Sequence, residues 1–269
     1  VVPAMALLQL LLWWQLLMLL LDVGLVRQRL SKLERLCGQG PCDGAEGYKL
    51  ICSEGVVVPG EVLLQAQSYA LRTGAKVLDL VPDDLPALDA FSYLQLLDVE
   101  ALRQRPFEAG RSVGLALLVA TEVLGRLGPE AAPSLPCGPP ALIAFAKRLK
   151  KYAPYACGAV LCPGLGRGRH ELGAGSWPGL WAHVGALALQ VLLFPFALAA
   201  LAAAGAAWGH PWLAGLLLAA YQLQPVLGLL GETKVRPGGL RWLPFLRWPL
   251  EACHRVLAVW RWVAGSERG

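Results

Sequence analysis

Two long apolar runs, Val184–Trp208 and Trp212–Leu230, constrain this chain more than any other stretch. They are joined at Gly209-His210-Pro211, and neither contains Asp, Glu, Lys or Arg. Each reaches the roughly 20 residues that a helix needs to cross a hydrocarbon core of about 30 Å. A soluble core helix rarely sustains so much uncharged sequence twice in succession, so the pair reads as a membrane-spanning hairpin within residues 178–231. Pro195 and Pro225 are compatible with this, because neighbouring helices can satisfy the carbonyls that a proline frees.

Residues 4–26 (AMALLQLLLWWQLLMLLLDVGLV) form a third apolar stretch. It lacks the basic start and small-x-small cleavage site of a secretory signal and is too long for its apolar region. Residues 1–26 are therefore expected to be an N-terminal transmembrane anchor. Arg27, Arg29, Lys32 and Arg35 follow at once, opposed by Glu34. Bases gather on the cytoplasmic side of a span, which puts the N-terminus outside. After the hairpin come Lys234, Arg236, Arg241, Arg247, Arg255, Arg261 and Arg268, while the hairpin tip carries no formal charge. Both asymmetries predict one topology, that of an integral membrane protein with its soluble part cytoplasmic; the membrane is expected to be a bacterial inner one. The tail, residues 232–269, repeats Leu243, Leu246, Leu250, Cys253, Leu257 and Trp260 at helical spacing among tryptophans and arginines. That pattern suits a helix lying in the headgroup layer.

Charged residues make up 16% of the chain, against about 25% in an ordinary soluble domain. Residues 27–177 hold most of the acids, which predicts one soluble domain of about 150 residues between the membrane segments. The net charge of +5 is concentrated beside those segments, so the bases orient the protein and nothing points to nucleic acid. The seven cysteines include two C-x4-C pairs, Cys37/Cys42 and Cys157/Cys162, but no CxxC pair. Ordinary reduced thiols account for them better than a zinc knuckle.

Within the soluble domain, Tyr48–Cys52 reads as a strand. Glu61–Thr73 is a helix with Val62, Leu63, Ala66, Tyr69 and Ala70 on one face, stopped at Gly74. Lys76–Val81 is a second strand, and Asp83-Asp84-Leu85-Pro86 breaks the pattern before a helix over Leu88–Leu97. Gly110–Val119 is expected as a strand, Glu122–Leu127 as a short helix, and Pro129–Pro140 as a loop. Leu142–Tyr152 is a basic helix, and Ala159–Cys162 a last strand. This alternation predicts an α/β domain.

Asp79, Asp83, Asp84 and Asp89 are close enough in sequence to supply oxygens to Mg²⁺ or Mn²⁺ if they converge. A strand end and a solvated turn before a helix explain the same acids more simply. Gly164-Leu165-Gly166-Arg167-Gly168-Arg169 offers backbone amides and two guanidiniums that could hold a diphosphate or touch anionic headgroups. His170, beside Arg169, is the histidine best suited to acid–base work.

With these elements in order, the layout resembles the membrane-bound family 2 glycosyltransferases with a GT-A domain, nearest the ceramide and hopanoid-pathway enzymes. ICSEGVVVPGEVLLQAQSYALRTGAKVLDLVP is similar to the family's segment around its metal-binding Asp-x-Asp. GRSVGLALLVATEVLGRLG resembles the later acceptor-side strand and helix, and IAFAKRLKKYAPYACGAVLCPGLGRGRHEL the elements leading to the membrane. The resemblance implies a partial GT-A-like fold that moves a sugar from a nucleotide-sugar to a lipid acceptor. Glu54, with Asp83 or Asp84, would serve catalysis, and Arg167, Arg169 and His170 would bind substrate. Cys52-Ser53-Glu54 stands at the Asp-x-Asp position with one carboxylate, the expected base region near Cys137–Leu142 holds no acid, and the family's nucleotide-binding first half is reduced to Arg27–Gly47. One glutamate cannot both stabilise a leaving diphosphate and activate an acceptor. Two readings follow: an active transferase, or an inactive relative that binds a partner membrane protein as a scaffold or subunit.

Overall fold

The computed structural model describes residues 2–36, 47–85, 87–106, 112–128, 137–167, 187–231 and 234–235. Arg169, His170, the loop cysteines Cys37 and Cys42, most of the Pro129–Pro140 loop and the tail beyond residue 235 lie outside them.

The first apolar stretch is a single helix, α1 (Val2–Lys32), which continues through the expected boundary at residue 26. Its first part, with Leu8, Leu12, Leu16 and Leu19, packs against later helices, while Val26, Leu30 and Leu33 enter the core of the α/β domain. The sequence changes character at Arg27, but the helix does not stop there. Its apolar face simply meets a different partner.

The α/β domain follows with β1 (Tyr48–Cys52), β2 (Val56–Val57), α2 (Gly60–Thr73), β3 (Val77–Pro82), α3 (Ala87–Leu96) and α4 (Val99–Gln104). Next come β4 (Ala116–Ala120), α5 (Thr121–Leu127), α6 (Pro139–Tyr152), β5 (Cys157–Cys162) and β6 (Gly166–Arg167). Helix α2 ends at Gly74, whose φ of 67° lets its amide reach the carbonyls of Ala70 and Leu71, a left-handed closure that glycine adopts without steric cost. Helix α4 starts at Asp98, whose carboxylate accepts from the amides of Glu100 and Ala101. That cap satisfies two of the donors a helix start leaves over.

Four strands form a mixed sheet in the order β1-β4-β3-β5. Strand β4 runs antiparallel to β1 and to β3, whereas β3 and β5 are parallel. Strands β1, β3 and β5 therefore point the same way, with β4 reversed between them. Strands β3, β4 and β5 are buried at every position, as expected of apolar strands covered on both faces, with Asp79 the one charged residue among them. Beyond β5, Glu34–Leu36 add a short parallel pairing: Leu161 donates to Glu34 and Leu36 donates to Leu161, each at 2.9 Å. The end of α1 is thus joined to the sheet.

Helices α7 (Leu187–Ala207) and α8 (Pro211–Leu229) pack on each other across a turn in which Gly209 has a φ of 89°. Trp13 meets Trp212, Gln224 donates to the carbonyl of Leu19, Gly228 lies against Val26, and Arg27 reaches the carbonyl of Leu230. These contacts rise together along both chains, so α1 and α8 run parallel. Both are long and apolar enough to cross a membrane.

Basic helix α6 departs from its expected surface role at one residue. Lys147, Arg148 and Lys151 are exposed, but Lys150 is buried and donates to the carbonyls of Leu102 and Pro154. Its flexible stem turns inward to pin α4 and the chain after α6.

Candidate functional site

The carboxyl ends of β1, β3 and β5 and the start of β4 share one edge of the sheet, the edge at which open α/β sheets bind ligands. Cys52, Ala116, Leu80 and Val160 lie in one row across the strands just inside it. Helix α3 leaves from this edge and packs on α1 and α8, so the edge faces the junction with the apolar helices. A narrow crevice there is lined by Leu30 of α1, Leu33 just after it, Val81, Pro82, Leu85 and Tyr93, among others.

Glu54 is exposed in the turn after β1. Its amide donates to the carbonyl of Cys137 at 2.9 Å, and Ser53 pairs with Cys137 across an isolated parallel bridge. The start of the Cys137–Leu142 segment, where the resemblance put the base but which holds no acid, is therefore next to Glu54. Beyond the turn, β2 pairs with β6, with Val56 opposite Arg167 and Val57 opposite Gly166. Strand β6 follows β5, at the far side of the sheet from β1, so the chain from Cys162 to Arg167 crosses the edge. Leu165 is buried beneath that crossing. Glu54 and Arg167, more than a hundred residues apart, thus share one corner.

Asp83 lies elsewhere on the same edge. Its amide donates to the carbonyl of Cys162, and its buried carboxylate receives Arg35 at 2.5 Å. The two-strand separation of β1 from β3 is roughly 10 Å, and Asp83 is turned towards β5. Asp84 is exposed on the following turn. Asp79 is fully buried in β3 and accepts from Tyr93 Oη and Ser112 Oγ at 2.8 Å each and from the Val113 amide at 2.9 Å. Burial pushes its carboxyl up to about 6 against the pull of these three bonds. With its oxygens engaged, Asp79 does not join Asp83 and Asp84 as a cation ligand. Among the described residues, no group of three His, Cys, Asp or Glu is arranged to hold a metal ion.

Of the site residues read from the sequence, Arg169 and His170 lie outside the described residues, and among Glu54, Asp83, Asp84 and Arg167 the fold brings the backbones of Glu54 and Arg167 to one corner. Sequence reading missed Arg35, which looks like one more base flanking a membrane span until its partner 48 residues away is known. Ser112 and Tyr93 also went unnoticed, because nothing local marks a hydroxyl as the partner of a distant buried acid. No family model, no characterised protein and no solved structure matches this chain.

Proposed function

We propose that this chain is a membrane-anchored, GT-A-like protein of the cytoplasmic face of a bacterial inner membrane, transferring a sugar from a nucleotide-sugar to a lipid acceptor. The observation that carries the reading is the β2–β6 ladder, which brings the backbone of Arg167 opposite Val56, two residues past Glu54. A carboxylate and a guanidinium at the carboxyl edge of an α/β sheet are suited to a metal-bound or protonated diphosphate. Arg167, with Arg169 and His170, would hold the donor's phosphates, and Glu54 would assist metal binding or acceptor activation.

The membrane part of the reading is supported by the two long apolar helices. Leu7, Leu10, Trp14, Leu17 and Leu21 on α1 and Trp208, Trp212 and Leu216 at the hairpin are exposed, an apolar surface larger than a water-facing protein tolerates. The parallel run of α1 and α8 supports a topology in which both enter from the same side. α7 then crosses in the opposite sense.

A second reading, an inactive relative acting as a scaffold or subunit for a partner membrane protein, is favoured by the acids themselves. Asp79 is saturated by the protein's own donors, and Asp83 is paired with Arg35.

Calorimetric titration of the full-length protein in nanodiscs with UDP-, GDP- and dTDP-sugars, with and without Mn²⁺, separates the two. Transfer predicts saturable binding that weakens about tenfold or more in Glu54→Ala and Arg167→Ala, as expected for loss of a charged contact. Absence of binding to every nucleotide-sugar would sink the transferase and leave the partner-binding reading.

A further inference from the structure

Helix α3 has two attachments on different sides. Towards the apolar helices, Phe91 packs on Gly228, Gln95 Nε2 donates to Asp22 at 3.3 Å, and Arg29 donates to the Leu94 carbonyl at 3.1 Å. Towards the sheet, Tyr93 Oη donates to Asp79 Oδ2. From Asp79 the hydrogen bonds continue. Ser112 Oγ donates to Asp79 Oδ1 and accepts from the Gly114 amide at 2.9 Å; the Gly114 carbonyl accepts from Ser53 Oγ at 2.5 Å. Ser53 also donates its amide to Leu115, and Glu54 follows directly. Ser53, Asp79 and Ser112 are all buried, so water does not substitute for any of these partners.

We propose that Asp79 is a coupling residue that ties the seating of α3 against the membrane helices to the conformation of the Ser53-Glu54-Gly55 turn. The inference rests on taking the Glu54 corner as the functional site. It has a physical two-state element. An ionised Asp79 accepts from three donors that all point at it. A protonated one keeps acceptor positions for all three but loses the charge that strengthens each bond, so every one of them weakens. The weaker hold on Ser112 loosens Gly114, and with it the acceptor of Ser53.

The groups around Asp79 are few. Tyr93 comes from α3, and Ser112 and Val113 from the segment before β4. From β5 comes Cys162, whose thiol is pushed up by burial and by Asp79 and Asp83. Beyond the end of β3 stands the Arg35–Asp83 pair. Burial raises the carboxyl of Asp79 to about 6, within reach of a mild change of pH.

Hydrogen exchange of the full-length protein in nanodiscs tests the coupling. Tyr93→Phe removes one hydroxyl and keeps the ring; Asp79→Asn keeps the shape and removes the charge. Both should speed exchange at the amides of Ser53 to Val57 about tenfold, the effect of one lost bond to a charged acceptor. Val123→Ala, in the same core but outside the chain of bonds, serves as the control for general destabilisation. In the wild type, protection of the turn relative to the β4 amides should fall as pH drops through about 6, and Asp79→Asn should abolish that response. Two outcomes overturn the proposal: a Tyr93→Phe effect confined to α3, or an equal effect of Val123→Ala on the turn. The readout involves no nucleotide, so failure of sugar binding and failure of coupling are separate results.

Discussion

Phe91 closes on Gly228 so tightly that a Cβ at residue 228 would stand 2.8 Å from Phe91 Cε2. The ring is fully buried and belongs to α3, and the glycine belongs to α8. The α/β domain and the apolar helices are therefore packed together at van der Waals distance.

Gly228→Ala should push α3 away from α8 and cost about 1–3 kcal/mol, the usual penalty for overpacking a rigid site. Gly215→Ala on the same helix is the control, since nothing lies within 4 Å of the Cβ it would add. Thermal unfolding in detergent should show a lowered midpoint for the first and an unchanged or raised one for the second. Equal midpoints would mean that the Phe91 contact does not bear on stability.

Arg35→Ala should destabilise the protein by about 3–5 kcal/mol, because it leaves Asp83 buried without its cation. Replacing both, Arg35→Met with Asp83→Leu, should recover much of the loss. Guanidinium unfolding followed by circular dichroism measures both. A double variant as unstable as the single one would place the cost in the Glu34–Leu36 pairing instead of in the stranded charge.

Asp79 gives the pH dependence of stability a definite sign. Its folded-state carboxyl is raised from 3.8 to about 6 by burial, opposed by Tyr93, Val113 and Ser112. Between those values the folded protein holds a proton that the unfolded chain releases, so this group's contribution to stability rises as pH falls from about 6 towards 4. Asp79→Asn should flatten that part of the profile. Global stability and local protection of the Ser53–Gly55 turn should then move in opposite directions with acid, a pairing that general acid unfolding does not produce.

The thiols on β5 should be inert in the folded protein. Burial pushes Cys157 up to about 11 and Cys162 higher still, with Asp79 and Asp83 adding to the second. Five residues apart along a strand, their side chains face opposite ways, about 17 Å apart along the chain direction, so their C-x4-C spacing cannot close on one ion. Half-buried Cys52, pushed up to about 11 by burial and by Cys137, should label with maleimide before either of them. Rapid native-state labelling of Cys162 would contradict the packing of β5.

Much of the fold was written locally. Pro59-Gly60 and Gly74 bracket α2, and the apolar runs of β3, interrupted by Asp79, and of β5 announce strands covered on both faces. What escaped was long-range. Nothing in Ala116–Ala120 says that it inserts antiparallel between β1 and β3, because strand order depends on partners far along the chain. The strand expected over Gly110–Val119 begins only at Ala116, since Ser112 and Val113 turn to Asp79 instead of pairing. Ladders of two residues, such as β2 with β6, carry no periodicity to detect, and α4 is too short for one. The candidate site was legible as separate residues, Glu54 and Arg167; their common corner was not.

Helix α1 is at once a member of the helical bundle and, through Glu34–Leu36, a partner of β5. Its length is therefore a fixed ruler between two bodies that keep different periods. Adding one residue between Asp22 and Arg29 would lift the sheet end by about 1.5 Å and rotate it by about 100°. In the extended segment the same shift exchanges inward for outward side chains, turning Arg35 away from Asp83. Substitutions along the outer face of that helix leave the ruler unchanged, but an insertion or deletion there must come with compensation at both ends.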